Sequence, residues 1–165
     1  MDINKLTLKS QEALRKAQEL AFSFGNQQVD APHLLLAIIS QEDSLVAVVL
    51  KKTEVDIDKL KISIQKELEK GPKAVVGALG QMYITPFLAG ILDGAEKEMA
   101  KMGDEFVSIE HLFLSMLAHT SNVQKLLNEF SIKYEKILKI LSEVRGSQKV
   151  DSPSPEGKFQ VIEKY

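Results

Sequence analysis

The chain has 165 residues, 44% apolar and 6% aromatic, with 21 basic and 23 acidic side chains interspersed to a formal net charge of -2. No basic field exists to hold nucleic acid or an anionic membrane, and the lack of cysteine removes disulfides, thiolate catalysis and cysteine metal sites. No plain apolar run is longer than the six residues of 34–39, too few to span a bilayer, and the first residues show no basic-then-apolar leader, so a cytoplasmic, monomeric domain with one helical core is expected.

Thr7 is the first helix-start signal, a hydroxyl able to accept a free N–H of the first turn. Leu14, Ala17, Ala21 and Phe24 follow at spacings of three and four, and Gly25 sits where that helix should stop. After a short extended bridge, Asp30 opens an apolar helix through residues 34–39. Residues 44–50 form a further short helix, and Asp56 opens one carrying Ile57, Leu60, Ile64 and Leu68. Residues 71–83, GPKAVVGALGQMY, are too apolar for a plain solvent linker and read as an ordered or semi-ordered connection over the core.

From Thr85 the same order returns. Pro86 takes the first helical position, Leu88, Leu92, Ala95, Met99 and Met102 mark a buried stripe, and Gly103 ends it. Ser108 opens the short helix of residues 112–117. Val123, Leu126 and Leu127 mark another short helix, and Ile132, Ile137, Leu138, Leu141 and Val144 the last one. Residues 146–158 have the composition of a flexible linker, and residues 159–165 turn apolar again, as the beginning of a further segment would.

Residues 7–39 align with residues 85–117 without a gap at an offset of 78. Identities include Thr7/Thr85, Leu14/Leu92, Ala17/Ala95, Gly25/Gly103, Val29/Val107 and His33/His111. The expected fold is all-α: a pseudo-twofold tandem of two four-helix repeats, about eight helices, with a flexible C-terminal linker. The expected division is a first repeat in 1–70, a connection in 71–83, a second repeat in 84–145 that completes one globular domain with the first, and a linker in 146–165.

Motifs for catalysis are missing. The chain has no G-x-x-x-x-G-K-[ST] phosphate loop, no H-E-x-x-H and no G-x-S-x-G, so no nucleotide, metal or other cofactor is expected to bind it. His33, His111 and Glu110 would be the residues of a small hydrolase or metal enzyme. Repetition of the histidine at the third position of two capped helices favours fold instead, the imidazole bonding the cap or nearby backbone. His119 lies just past a helix end, where a cation suits the dipole.

The copies differ on one helix face. Lys9, Glu12 and Lys16 of the first correspond to Phe87, Gly90 and Gly94 of the second. Two glycines in a helix cost about 1 kcal/mol each, so something should offset them. One reading is a shallow apolar trough, with Tyr83, Met82 and Ile84 close by, that takes an extended apolar segment. The other is that the 71–83 connection or the first half packs there. Asp104, Glu105 and Glu110 complement helix starts; the other reading is that they engage a basic or backbone N–H group of a bound peptide.

The paired pattern T-x6-L-x2-A then G-x3-V-x3-H-L-x-L resembles the amino-terminal repeat domain of the Clp ATPases, the AAA+ protein unfoldases. DINKLTLKSQEALRKAQELA, GDEFVSIEHLFLSML and IEKY resemble its ClpB-type disaggregase branch in particular. The resemblance implies a non-catalytic substrate-docking domain, joined to a hexameric AAA+ ring that binds ATP and Mg2+ and threads unfolded or aggregated polypeptides. It further implies that Thr7, Asp104 and Glu110 match positions associated with substrate handling, and that Tyr83, Phe87, Leu88 and Leu92 belong to an apolar docking groove. The ClpC branch, which reads phosphorylated arginine and binds adaptors, has a glutamate before the histidine in both units; here Glu110 stands in one and Pro32 in the other. A structural cap on the ring is the remaining alternative.

Overall fold

A helix start leaves backbone N–H groups without partners, and short polar side chains supply them. The computed structural model describes residues 2–71 and 83–155. Among these residues eight helices follow in chain order: α1 (Leu8–Ser23), α2 (Ala31–Ile39), α3 (Leu45–Lys52), α4 (Ile57–Glu69), α5 (Pro86–Lys101), α6 (Ile109–Ala118), α7 (Asn122–Glu129) and α8 (Tyr134–Arg145). Thr7, Asp30, Ser44, Asp56, Thr85 and Ser121 each accept a first-turn N–H. Gly25 and Gly103 both take φ of 71° after α1 and α5, a left-handed conformation that strains any side chain. The all-α tandem expected from the repeat is thus the observed architecture. The readings of residues 72–82, including Met82, and of residues 159–165 fall outside the described residues.

Cross-pairing joins the two repeats. β1 (Gln28–Val29) runs parallel to β2 (Tyr83–Ile84), with Val29 opposite Ile84, and a single parallel bridge joins Leu6 to Val107. Thr85 N donates to the Val29 carbonyl and Thr7 N to the Val107 carbonyl, both at 3.0 Å. Leu6 and Ile84 are counterparts at the repeat offset, as are Val29 and Val107. Each repeat therefore completes its backbone bonding on the other.

α2 and α6 form the centre, buried along almost their whole length. α2 packs on α1, α4 and α6, while α6 packs on α5, α7 and α8. α5 turns Leu88, Ile91, Leu92 and Ala95 inward.

Residues 147–155, expected as free linker, lie instead along the body. Val150 is fully buried; its N–H donates to Asp104 Oδ1 at 2.9 Å, and its carbonyl accepts from Glu105 N at 2.8 Å and Phe106 N at 3.3 Å. Pro153 accepts from Leu8 N at 2.8 Å, which ties the same segment to α1. One buried valine and a satisfied backbone outweigh a linker-like composition.

Candidate functional site

The seam between the repeats contains a cavity of about 530 Å3. Gln27 and Gln28, the first turn of α2, the end of α4, and the starts of α5 and α7 converge on it. Leu68 and Val123 supply buried apolar wall. Tyr83, 53% exposed, and Phe87, 36% exposed, stand at its edge. Asp30 and Glu67 line it and no lysine or arginine does, so its charge among the described residues is acidic.

The remaining residues assigned to docking from the resemblance are placed elsewhere. Leu88 and Leu92 are 0% and 8% exposed and belong to the core, because the apolar stripe of α5 faces α6. Thr7 is fully buried, its hydroxyl oxygen accepting Ser10 N at 3.2 Å and its O–H donating to Ser10 Oγ at 3.0 Å. The trough drawn along Phe87, Gly90 and Gly94 is also corrected. A Cβ at Gly94 would come within 2.5 Å of Ser115 Oγ and of His119 Cε1, so that glycine admits α6 and the residue following it. At Gly90 nothing lies within 4 Å of the same atom.

Asp104 and Glu110 belong to a buried polar cluster. His111 Nδ1 accepts Ser108 N at 2.8 Å, so the proton of the neutral ring sits on Nε2 and is donated to Asp104 Oδ2 at 2.7 Å. Arg145 Nη2 donates to Asp104 Oδ1 at 2.6 Å. Burial would push the Asp104 carboxyl up, but the bonds from His111, Arg145 and the Val150 N–H, with the Arg145 charge, hold it well below the usual carboxylate range. Glu110 is also buried; its Oε2 lies 4.0 Å from Arg145 Nη1, and neither of its oxygens has a hydrogen bond among the described residues. The first repeat has the neutral version. Asp30 N donates to His33 Nδ1 at 2.9 Å, and His33 Nε2 to Asn26 Oδ1 at 2.9 Å. Burial pushes the His33 imidazole down, partly opposed by the Asp30 charge and its backbone bond.

Asn26, Gln27, Gln28, Glu67 and Arg145 were missed from sequence. The signal for one of them was present, since Asn26 is the repeat counterpart of Asp104. Among the described residues no group of three or more His, Asp or Glu is placed to hold a metal, and no helix is long and apolar enough to cross a membrane.

Two cross-paired four-helix repeats, with a groove at their seam and a charged cluster inside, define an all-α tandem-repeat domain. The chain belongs to the Clp repeat (R) N-terminal domain family, whose model matches residues 5–130. It is 37% identical over 168 residues to the chaperone protein ClpB of Bacillus anthracis and 39% identical over 170 residues to that of Nitratidesulfovibrio vulgaris. Both alignments cover 100% of this chain but only 19% and 20% of those proteins, so the chain spans about one fifth of their length. The Hsp104 N-terminal domain of Candida albicans has the same fold, with a TM-score of 0.80 at 21% identity over 92% of this chain and 99% of that one. A ClpV N-domain in complex with a VipB peptide gives a TM-score of 0.66 at 22% identity, over 86% and 89%.

Proposed function

We propose that this chain is the substrate-docking N-terminal domain of a ClpB-type disaggregase, which binds exposed apolar segments of unfolded or aggregated polypeptides in the cytoplasm. It delivers them to a AAA+ ring, where ATP and Mg2+ act. The observation that carries the reading is the groove at the repeat seam, edged by the exposed aromatic rings of Tyr83 and Phe87 above buried Leu68 and Val123. Aromatic rings beside an apolar wall suit an extended client chain. A peptide complex of a ClpV N-domain supports peptide docking on this fold. Docking here is weak and serves to raise the local concentration of client near the ring. Thr7, Asp104 and Glu110 take part by holding the frame, since all three are buried.

The test is an NMR titration of the domain with an unfolded, apolar-rich polypeptide, compared with Phe87→Lys. Amide shifts at Tyr83 and Phe87, with affinity reduced about tenfold in the variant, are expected from the loss of one aromatic contact. Shifts confined to the far face of α1, or none at all, would sink the reading.

A further inference from the structure

Two seams join the repeats, and they differ in what occupies them. At the first, Gln27 and Gln28 line an open cavity. Their counterparts at the repeat offset, Glu105 and Phe106, are engaged by residues 147–155, a strap that follows α8. One residue of the strap carries most of this contact. The Val150 carbonyl accepts Glu105 N at 2.8 Å and Phe106 N at 3.3 Å, its N–H donates to Asp104 Oδ1 at 2.9 Å, and its side chain is fully buried. Main-chain bonds beside one side-chain pocket are how a groove holds a polypeptide with little regard to sequence.

The strap is built as a part that opens. Of residues 146–154 only Val150 is buried. Gly146 turns the chain out of α8 at φ 60° and ψ -126°, a left-handed conformation that strains any side chain. The other ties lie near the surface: exposed Lys149 bonds the Met102 carbonyl through Nζ at 2.7 Å, and exposed Pro153 accepts Leu8 N at 2.8 Å. A segment with few buried contacts and exposed hydrogen bonds opens locally well before the fold as a whole.

We infer that the groove under the strap is a second docking site for unfolded polypeptide, closed by the chain's own residues and opened when the strap swings out at Gly146. The occupant places one apolar residue of about valine's size in the Val150 pocket, its N–H on Asp104 and its carbonyl on Glu105 and Phe106. Proline, which has no N–H, is refused at that point. Client and strap compete for the same groups, so the cavity at the first seam fills first and the second site responds only to the extent that the strap is out. This rests on the docking reading and adds to it a site that the strap regulates.

The experiment follows backbone amide shifts and amide exchange in the whole chain, as wild type, Val150→Ala and Gly146→Ala. One variant removes buried methyl groups and the other strains the turn, so both loosen the strap and neither alters a group that would hold the occupant. The probes are the unfolded, apolar-rich polypeptide, the peptide SQKVDSPS, which copies residues 147–154, and its Val→Pro form. Faster exchange at Glu105, Phe106 and Leu8 is expected in both variants, with probe-induced shifts there at about tenfold lower concentration than in wild type. The Val→Pro peptide should give no such shifts. Shifts confined to Tyr83 and Phe87 in the loosened variants would overturn the second site and leave docking at the cavity intact, whereas loss of both sets would end the docking reading as well. Equal binding of the Val→Pro peptide, or unchanged exchange in both variants, would overturn the inference. So would shifts at Glu105 and Phe106 that grow with protein concentration in the absence of any probe, which would assign the groove to the strap of a second copy.

Discussion

Two histidines hold the interior by the same device and end on different partners. His33 and His111 each accept the N–H of their own cap residue and reach back seven positions, to Asn26 in one repeat and to Asp104 in the other. Only the second partner is charged, and Arg145 is the cation that matches it. Asp104→Asn keeps the shape but leaves the guanidinium against a neutral amide, so a loss of about 3 kcal/mol is expected in urea unfolding at neutral pH. Glu110→Gln should cost less, because its carboxylate has no hydrogen bond to lose among the described residues and sits 4.0 Å from Arg145. The Asp104 carboxyl is held below its unfolded value of about 3.9. Its stabilisation is therefore complete above that pH and is lost as the pH falls through the depressed folded value. The gap between wild type and Asp104→Asn should narrow only in acid; a gap that closes near pH 6 would contradict this account.

Among the elements, α5 shows why a helical period alone misplaces function. Gly90 and Gly94 share one stripe by spacing, yet one faces open space and the other lies under Ser115 and His119. Gly90→Ala should stabilise the domain by about 1 kcal/mol through helix propensity. Gly94→Ala should destabilise it by about 1–3 kcal/mol through overpacking, and the two midpoints in urea should move in opposite directions. The helices themselves were legible, because Thr7, Asp30, Asp56 and Thr85 announce their starts and apolar residues recur at three and four. Leu88 and Leu92 were legible as buried stripe, and assigning them to a groove set that period aside. β1 and β2 were not legible as strands, since two residues are too few to show a period of two. The strap after α8 was hidden because one buried valine is a small signal within a polar run. The groove was half legible: its aromatic edge stood out as a difference between copies, whereas its polar wall comes from elements distant in sequence.

For the molecule as a whole, the strap and the crossed strands bind two similar halves into one body. Val150 is bonded to Asp104, Glu105 and Phe106 of the second repeat, and Pro153 to Leu8 of the first. Val150→Ala should cost about 1.5 kcal/mol from the buried methyl surface. It should also speed amide exchange at Glu105, Phe106 and Leu8 together, because one segment protects all three. Faster exchange at Glu105 alone would mean that the strap is not a single unit. The strap also decides where tension would enter the fold. A pull on the chain from beyond Pro155 meets Leu8 and Asp104 first, so α8 bears no load until the strap has peeled away, and the contacts that must yield first lie on both repeats.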